Sequence, residues 1–239
     1  MDIASFHYQF KLGMDRKDTL STEDFRKAEI DWLLNEAQLI KVKALFNGNN
    51  PKKEGFESSQ KRIDDLSNLV IKYPLQPVIV PTLDSGVYEV SLSDLAFPYL
   101  HFVAGRVDVE LTEDCIKSVA LRFMQHDDYF KALADPFNSP GLEFMPFNFG
   151  RSSSGTSSIY IYPNDYTITG VYLEYLKYPN RMSFGNYTYI DGNVYPPQTS
   201  ELPEHLHQEI VDLALQIAAL NIENPDYIQL KNQKVFISD

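Results

Sequence analysis

The chain has one cysteine and one tryptophan in 239 residues. The lone Cys115 cannot close an internal disulfide, so a core must hold the fold, and a reduced cytosol is the default compartment. No window approaches the roughly 20 apolar residues that a membrane helix needs. Residues 1–20 carry Asp2, Lys11, Asp15, Arg16, Lys17 and Asp18 instead of the unbroken apolar stretch of a secretory signal. A soluble protein without membrane contact is expected. Basic residues are also scarce, with 21 Lys and Arg against 33 Asp and Glu and a net charge of −12. A sequence-reading DNA binder would present a basic face, so that class is disfavoured. Catalytic signatures are missing as well. The chain contains no Gly-x-Ser-x-Gly, Walker loop, Gly-x-Gly-x-x-Gly, Cys-x-x-Cys or His-Glu-x-x-His.

What is present divides the chain into three parts. Residues 1–75 are charge-balanced, with 12 basic and 12 acidic residues, so the rest carries the whole negative charge. Charge of one sign serves solubility, and an acidic surface beside DNA would repel phosphates. Near the N-terminus Ala4, Phe6, Tyr8, Phe10 and Leu12 alternate with polar residues, which predicts a strand-like arm over 1–20. Ser21 or Thr22 can cap a helix running to Phe46, with Ile30, Leu33, Leu34, Ala37 and Ile40 on one stripe. Phe25, Ala28, Trp32 and Leu39 make a second stripe, so contact on two sides is expected. Asn47-Gly48-Asn49-Asn50-Pro51 ends that helix, and a shorter one over Phe56–Ile71 completes a helical hairpin within 21–75.

Residues 76–199 read as an antiparallel β-rich domain. Strand patterns cover Val78–Val80, Gly86–Val90, Tyr99–Val109, Lys117–Met124, Ile159–Tyr162 and Thr167–Tyr178, with a polar loop at 150–158 and a hairpin turn at Asp191-Gly192-Asn193. In the longest pattern Val171, Leu173 and Tyr175 share one face, with Tyr172, Glu174 and Leu176 on the other. A short helix is expected after Asp127. Residues 200–224 give the clearest element. Pro203 suits the first helical position, and Leu206, Ile210, Leu213, Ile217 and Leu220 step by four and three. A polar tail, 225–239, follows. The fold class is α+β: a helical body from the N-terminal hairpin and the C-terminal helix, with the β region inserted between them.

Each chemical candidate has a plainer explanation. His205 and His207 lie two apart on a helix, so they point to different sides and cannot chelate together. Gln125-His126-Asp127-Asp128 can act as an acid–base group, but a helix cap accounts for it. Cys115 sits beside Glu113 and Asp114, which raise a thiol pKa rather than lower it. No catalytic, metal or cofactor residue is assigned. The 15 tyrosines cluster in the β region. They fit strand formation, protein interfaces or carbohydrate platforms alike. Two alternatives therefore stay open: a β-sandwich carbohydrate-binding module with helical flanks, and a hydrolase built on His126 with Asp127 or Asp128.

Several stretches resemble a known family. Phe25–Gln38 (FRKAEIDWLLNEAQ), Phe56–Val70 (FESSQKRIDDLSNLV), Asp135–Asn138, Leu173–Pro179 and Leu202–Ala214 (LPEHLHQEIVDLA) together resemble the virion ring, or head–tail connector, proteins of crAss-like phages of gut Bacteroidetes. The resemblance implies a non-enzymatic homo-oligomer, a ring of twelve copies beneath the portal. Such a ring would join capsid to tail at the portal vertex, with the genome passing through its lumen without specific binding. It would be made in the host cytoplasm, with the portal and neighbouring ring or tail proteins as partners. The residues expected at such interfaces are Phe6, Tyr8, Phe10, Trp32, Tyr172, Tyr175, Tyr227 and Phe236.

Overall fold

A computed structural model describes residues 1–15, 25–47, 60–75, 77–79, 86–112, 115–126, 128, 131, 141–152, 155–163, 166–189 and 191–221. The chain forms two compact units, one of Met1–Leu69 with Pro179–Asp239 and one of Val70–Tyr178. The expected β-rich span of 76–199 therefore shifts at both edges. Residues 70–75 join the sheet, and 179–199 pack with the helices.

The helical unit contains α1 (Ile3–Asp15), α2 (Lys27–Asn47), α3 (Gln60–Leu66) and α4 (His207–Asn221). α4 packs on both α1 and α2, while α3 touches α2. Phe6, Phe10, Ile30, Leu34, Ile210 and Ala214 fill the space between them. α1 corrects the strand expectation for the arm. Its Asp2 side chain accepts the Ser5 N–H at 2.9 Å, the bond that starts a helix. Ile3, Phe6, His7 and Phe10 then recur at helical spacing, and Phe6, His7 and Phe10 are buried. The apparent alternation merges two sets of period four, Phe6 with Phe10 inside and Ala4, Tyr8 and Leu12 on the other side. Gly13 permits close approach to α4, because a Cβ there would collide with the Leu215 side chain.

α2 opens with Glu29 Oε2 accepting the Arg26 N–H at 2.8 Å. The expected Thr22 start lies outside the described residues. α3 ends at Leu66, before the predicted Ile71, and the expected start at Phe56 lies outside the described residues. A 3₁₀ turn over Ser67–Leu69 follows it, and the chain becomes extended at Val70. Val70 and Ile71 favour a strand, and Pro74 bars helix at the residue before it.

A polar stripe on α2 organises residues 180–187. Asp31, Asn35 and Gln38 lie four and three apart, on one helical face. Asp31 is fully buried. Its Oδ1 meets His7 Nε2 at 2.6 Å, and its Oδ2 accepts the Phe184 N–H at 2.8 Å and the Tyr187 hydroxyl. Asn35 bonds both the N–H and the carbonyl of Met182, each at 2.8 Å. Gln38 Nε2 donates to the Asn180 carbonyl at 3.1 Å. The helix thus supplies the partners that a neighbouring strand would give.

The expected hairpin at residues 187–195 is reduced to one bridge, Thr188 with Val194. The Arg181 guanidinium lies 4.4 Å from the Tyr189 ring and 4.9 Å from the Tyr195 ring, and its Nη1 donates to Asp191 at 2.5 Å. The Tyr195 hydroxyl, followed by the Asn193 N–H and Arg181, pulls the Asp191 carboxyl down to about 2. Before α4, a 3₁₀ turn spans Glu204–Leu206. His207 is buried, with Nδ1 3.0 Å from the Met1 ammonium and Nε2 2.8 Å from the Leu202 carbonyl. An ammonium can only donate, so Nδ1 accepts and the proton sits on Nε2. Burial is the main cause holding this imidazole below its ordinary pKa.

The second unit is an eight-stranded mixed sheet ordered β1-β8-β4-β5-β6-β7-β3-β2. Its strands are β1 (Val70–Leu75), β2 (Val78–Ile79), β3 (Tyr88–Ser91), β4 (Tyr99–Thr112), β5 (Cys115–Phe123), β6 (Phe144–Arg151), β7 (Ser157–Ile161) and β8 (Thr167–Lys177). All neighbours are antiparallel except β5 and β6, which run parallel from Ala120 opposite Phe144 to Phe123 opposite Phe147. That corrects the all-antiparallel expectation. A parallel pair needs a crossover connection rather than a tight hairpin. The polar loop expected at 150–158 is partly ladder, with Gly150 opposite Ser158 and Arg151 opposite Ser157. The helix expected after Asp127 falls mainly outside the described residues.

Val171, Leu173 and Tyr175 face inward, with Val107, Val119, Leu121, Phe147 and Ile161. The sheet curls on this face. The hydroxyl of Tyr88 in β3 accepts the Ile168 N–H of β8 at 3.4 Å, although those strands stand far apart in the sheet order.

Two predictions follow from the helical unit. Asp31→Ala strips a buried imidazole, an N–H and a hydroxyl of their shared acceptor, and should cost about 3–5 kcal/mol in a urea melt. For His207, the unfolded chain takes up a proton near pH 6.5 and the folded chain only below that. Stability should therefore be complete above about pH 6.5 and fall as the pH is lowered from there. In His207→Gln, melting temperature should depend less on pH between 7.5 and 5.5.

Candidate assembly surfaces

The sequence-level chemical candidates are placed by contacts within the chain. His205 Nε2 pairs with the buried Asp65 at 2.6 Å, tying the turn before α4 to α3. His207 is held by Leu202. The two imidazoles thus serve different partners. His126 Nδ1 lies 3.3 Å from Asn148 Nδ2, which also donates to the Tyr162 hydroxyl at 2.9 Å. Asp127 is outside the described residues, and Asp128 meets the exposed Lys131 at 3.2 Å. Cys115 is free and exposed. Among the described residues no group of three or more His, Cys, Asp or Glu side chains can hold a metal ion. No described helix is long and apolar enough to cross a membrane.

The eight expected interface residues separate by burial. Phe6, Phe10 and Tyr175 are fully buried, so they belong to the chain's own cores and cannot meet a partner. Their helix and strand faces point inward for the reasons given above. Tyr175 also donates its hydroxyl to the Phe97 carbonyl at 3.2 Å. Tyr8 is 68% exposed and Trp32 41% exposed. Tyr172 lies under the Arg106 guanidinium at 4.5 Å. Tyr227 and Phe236 are outside the described residues.

Exposure adds residues that the pattern did not single out. Leu12 continues the Tyr8 ridge one turn along α1, and Ile40 continues the Trp32 stripe two turns along α2. The spacing carries both signals, although by pattern Ile40 falls in the inner stripe and Leu12 in the apparent alternation. In the sheet unit Ile116 and Phe123 are 64% and 53% exposed.

The outer face of β1, β8 and β4 holds a shallow groove of about 260 Å³ lined by Lys72, Pro74, Ala104, Arg106, Tyr172 and Glu174. Lys72 Nζ bonds Glu174 at 2.7 Å. The cations are thus occupied, one by a carboxylate and one by an aromatic face. This arrangement suits docking of a surface. It does not gather a base and a nucleophile.

Large apolar side chains are therefore left on the outer faces of helices whose inner faces are fully packed. A search of curated proteins finds no match. A family profile described as phage tail ring protein 3/4 matches residues 1–225, nearly the whole chain. The chain belongs to the crAss-like phage tail ring protein 3/4 family.

Proposed function

We propose that this chain is a non-enzymatic structural subunit of a ring at the head–tail junction, joining portal and capsid to the tail and lining the DNA passage. The family match over residues 1–225 supports the ring. The exposed ridges of α1 and α2 supply surfaces for it. In a closed ring every subunit uses two different faces, one for each neighbour. Tyr8 with Leu12, and Trp32 with Ile40, furnish such faces on two helices. The copy number is twelve, and the ring sits at the portal vertex against the portal and the next ring or tail protein. The net charge of −12 keeps the wall of the passage from gripping DNA.

A carbohydrate-binding module draws less support. The hydroxyls of Tyr160, Tyr175, Tyr187 and Tyr195 donate to Arg151, Phe97, Asp31 and Asp191 within the chain. A glycan array without hits removes that reading.

The ring is tested by negative-stain images and sedimentation of the purified protein, alone and with portal protein. Annular particles with twelve subunits are expected. A monomer under every condition, including with virion partners, overturns the proposal. Duplex DNA should bind weakly, and tight binding by the isolated protein contradicts the acidic passage. Trp32→Glu and Tyr8→Glu should weaken assembly at least ~30-fold, the size of an interface hot spot near 2 kcal/mol. Circular dichroism and melting temperature should stay near wild type, because both side chains are exposed.

A further inference from the structure

Part of the β5 edge in the sheet unit has a strand partner on one side only among the described residues. β5 lies in the interior of the sheet order, but β6 pairs only with Ala120–Phe123. Its first half, Cys115–Val119, is bonded to β4 alone, so its other side has no strand partner among the described residues. The edges at the two ends of the sheet are protected. β1 carries Pro74, which has no N–H to offer a further strand. β2 is two residues long and flanked by Pro77 and Pro81. The β5 edge has no proline and a single charge, Lys117, and its Ile116 is 64% exposed.

We propose that the C-terminal segment Lys234–Ser238 of a neighbouring copy adds as a strand along Cys115–Val119. This rests on the ring reading, since it needs copies held side by side. The segment Lys-Val-Phe-Ile-Ser has the composition of a strand. The segment carries one charge, Lys234, and Glu110 of β4 pairs with Ile116 of the edge strand. Twelve residues, 222–233, connect α4 to this segment. Fully extended they span about 40 Å, enough to leave one subunit and reach the next. Main-chain hydrogen bonds supply the affinity of such an added strand, and side chains on alternate positions set its register.

The native Cys115, the one cysteine of the chain, is the probe. Full-length variants Lys234→Cys, Val235→Cys, Phe236→Cys, Ile237→Cys and Ser238→Cys are assembled, oxidised and run without reductant. Cross-strand Cα atoms lie within disulfide range, and successive strand residues face opposite ways. Disulfide-linked dimers and higher ladders are therefore expected at every second position, and should vanish when Cys115→Ser is added. Dimers that survive Cys115→Ser are tail-to-tail links and contradict the proposal. A link closed within one chain overturns the exchange between copies. Deleting 231–239 should shift the assembly midpoint to higher protein concentration. Rings that form unchanged without the tail, with no crosslink at any position, defeat the strand addition and leave the ring reading standing. If no variant and no wild-type sample assembles, the ring reading fails first.

Discussion

The helical unit depends on the buried carboxylate of Asp31. A carboxylate removed from water must be matched by donors, and this one draws them from three separate places in the chain. His7 comes from α1, the Phe184 N–H from the extended segment, and the Tyr187 hydroxyl from the loop beyond it. Apolar contact can bring α1 to α2 at many rotations. The short His7–Asp31 contact selects the one that buries Phe6 and Phe10 and turns Tyr8 and Leu12 outward. Asn35 and Gln38 extend the same selection to Met182 and Asn180. The polar stripe thus sets which apolar residues remain on the surface.

The sheet unit solves a different problem. A sheet with one apolar face must cover it, and this one curls over itself. Tyr88 and Tyr175 take part in the closure and also satisfy their hydroxyls, one with the Ile168 N–H and one with the Phe97 carbonyl. The tyrosine enrichment therefore has a structural use: a large ring for the inner face, with a polar end at the rim.

Much of this was legible in the sequence, and the failures have physical causes. α4 was plain because its apolar residues recur over four turns and Pro203 precedes them. The inner face of β8 was plain because Val171, Leu173 and Tyr175 alternate cleanly. β6 was not seen, since Pro146 and Asn148 are poor strand formers and no alternation separates its faces. β1 was absorbed into a helix because its partner, β8, lies about a hundred residues on, and pairing at that distance leaves no local trace. α1 was mistaken for a strand because residues apolar on two sides of a helix also fall on alternate positions. The right signal was Asp2 followed three residues later by Ser5. Among the interface candidates, Tyr8 and Trp32 lie on the surface, whereas Phe6, Phe10 and Tyr175 do not. Aromatic type alone does not distinguish a core ring from a surface one.

The false alternation of α1 carries a second lesson. An amphipathic helix in an isolated protein shows one apolar stripe. α1 shows two, and α2 shows two, with Trp32 and Ile40 opposite the packed side. A monomer gains nothing from the outer stripe, which remains in water and favours aggregation. Under the proposed ring reading, the outer stripe of one copy would be covered by a neighbour. The two-sided pattern that makes the secondary structure hard to read is what such a role would require of a helix. The acidic surplus would complement that role, because like charge on the surface limits unguided association.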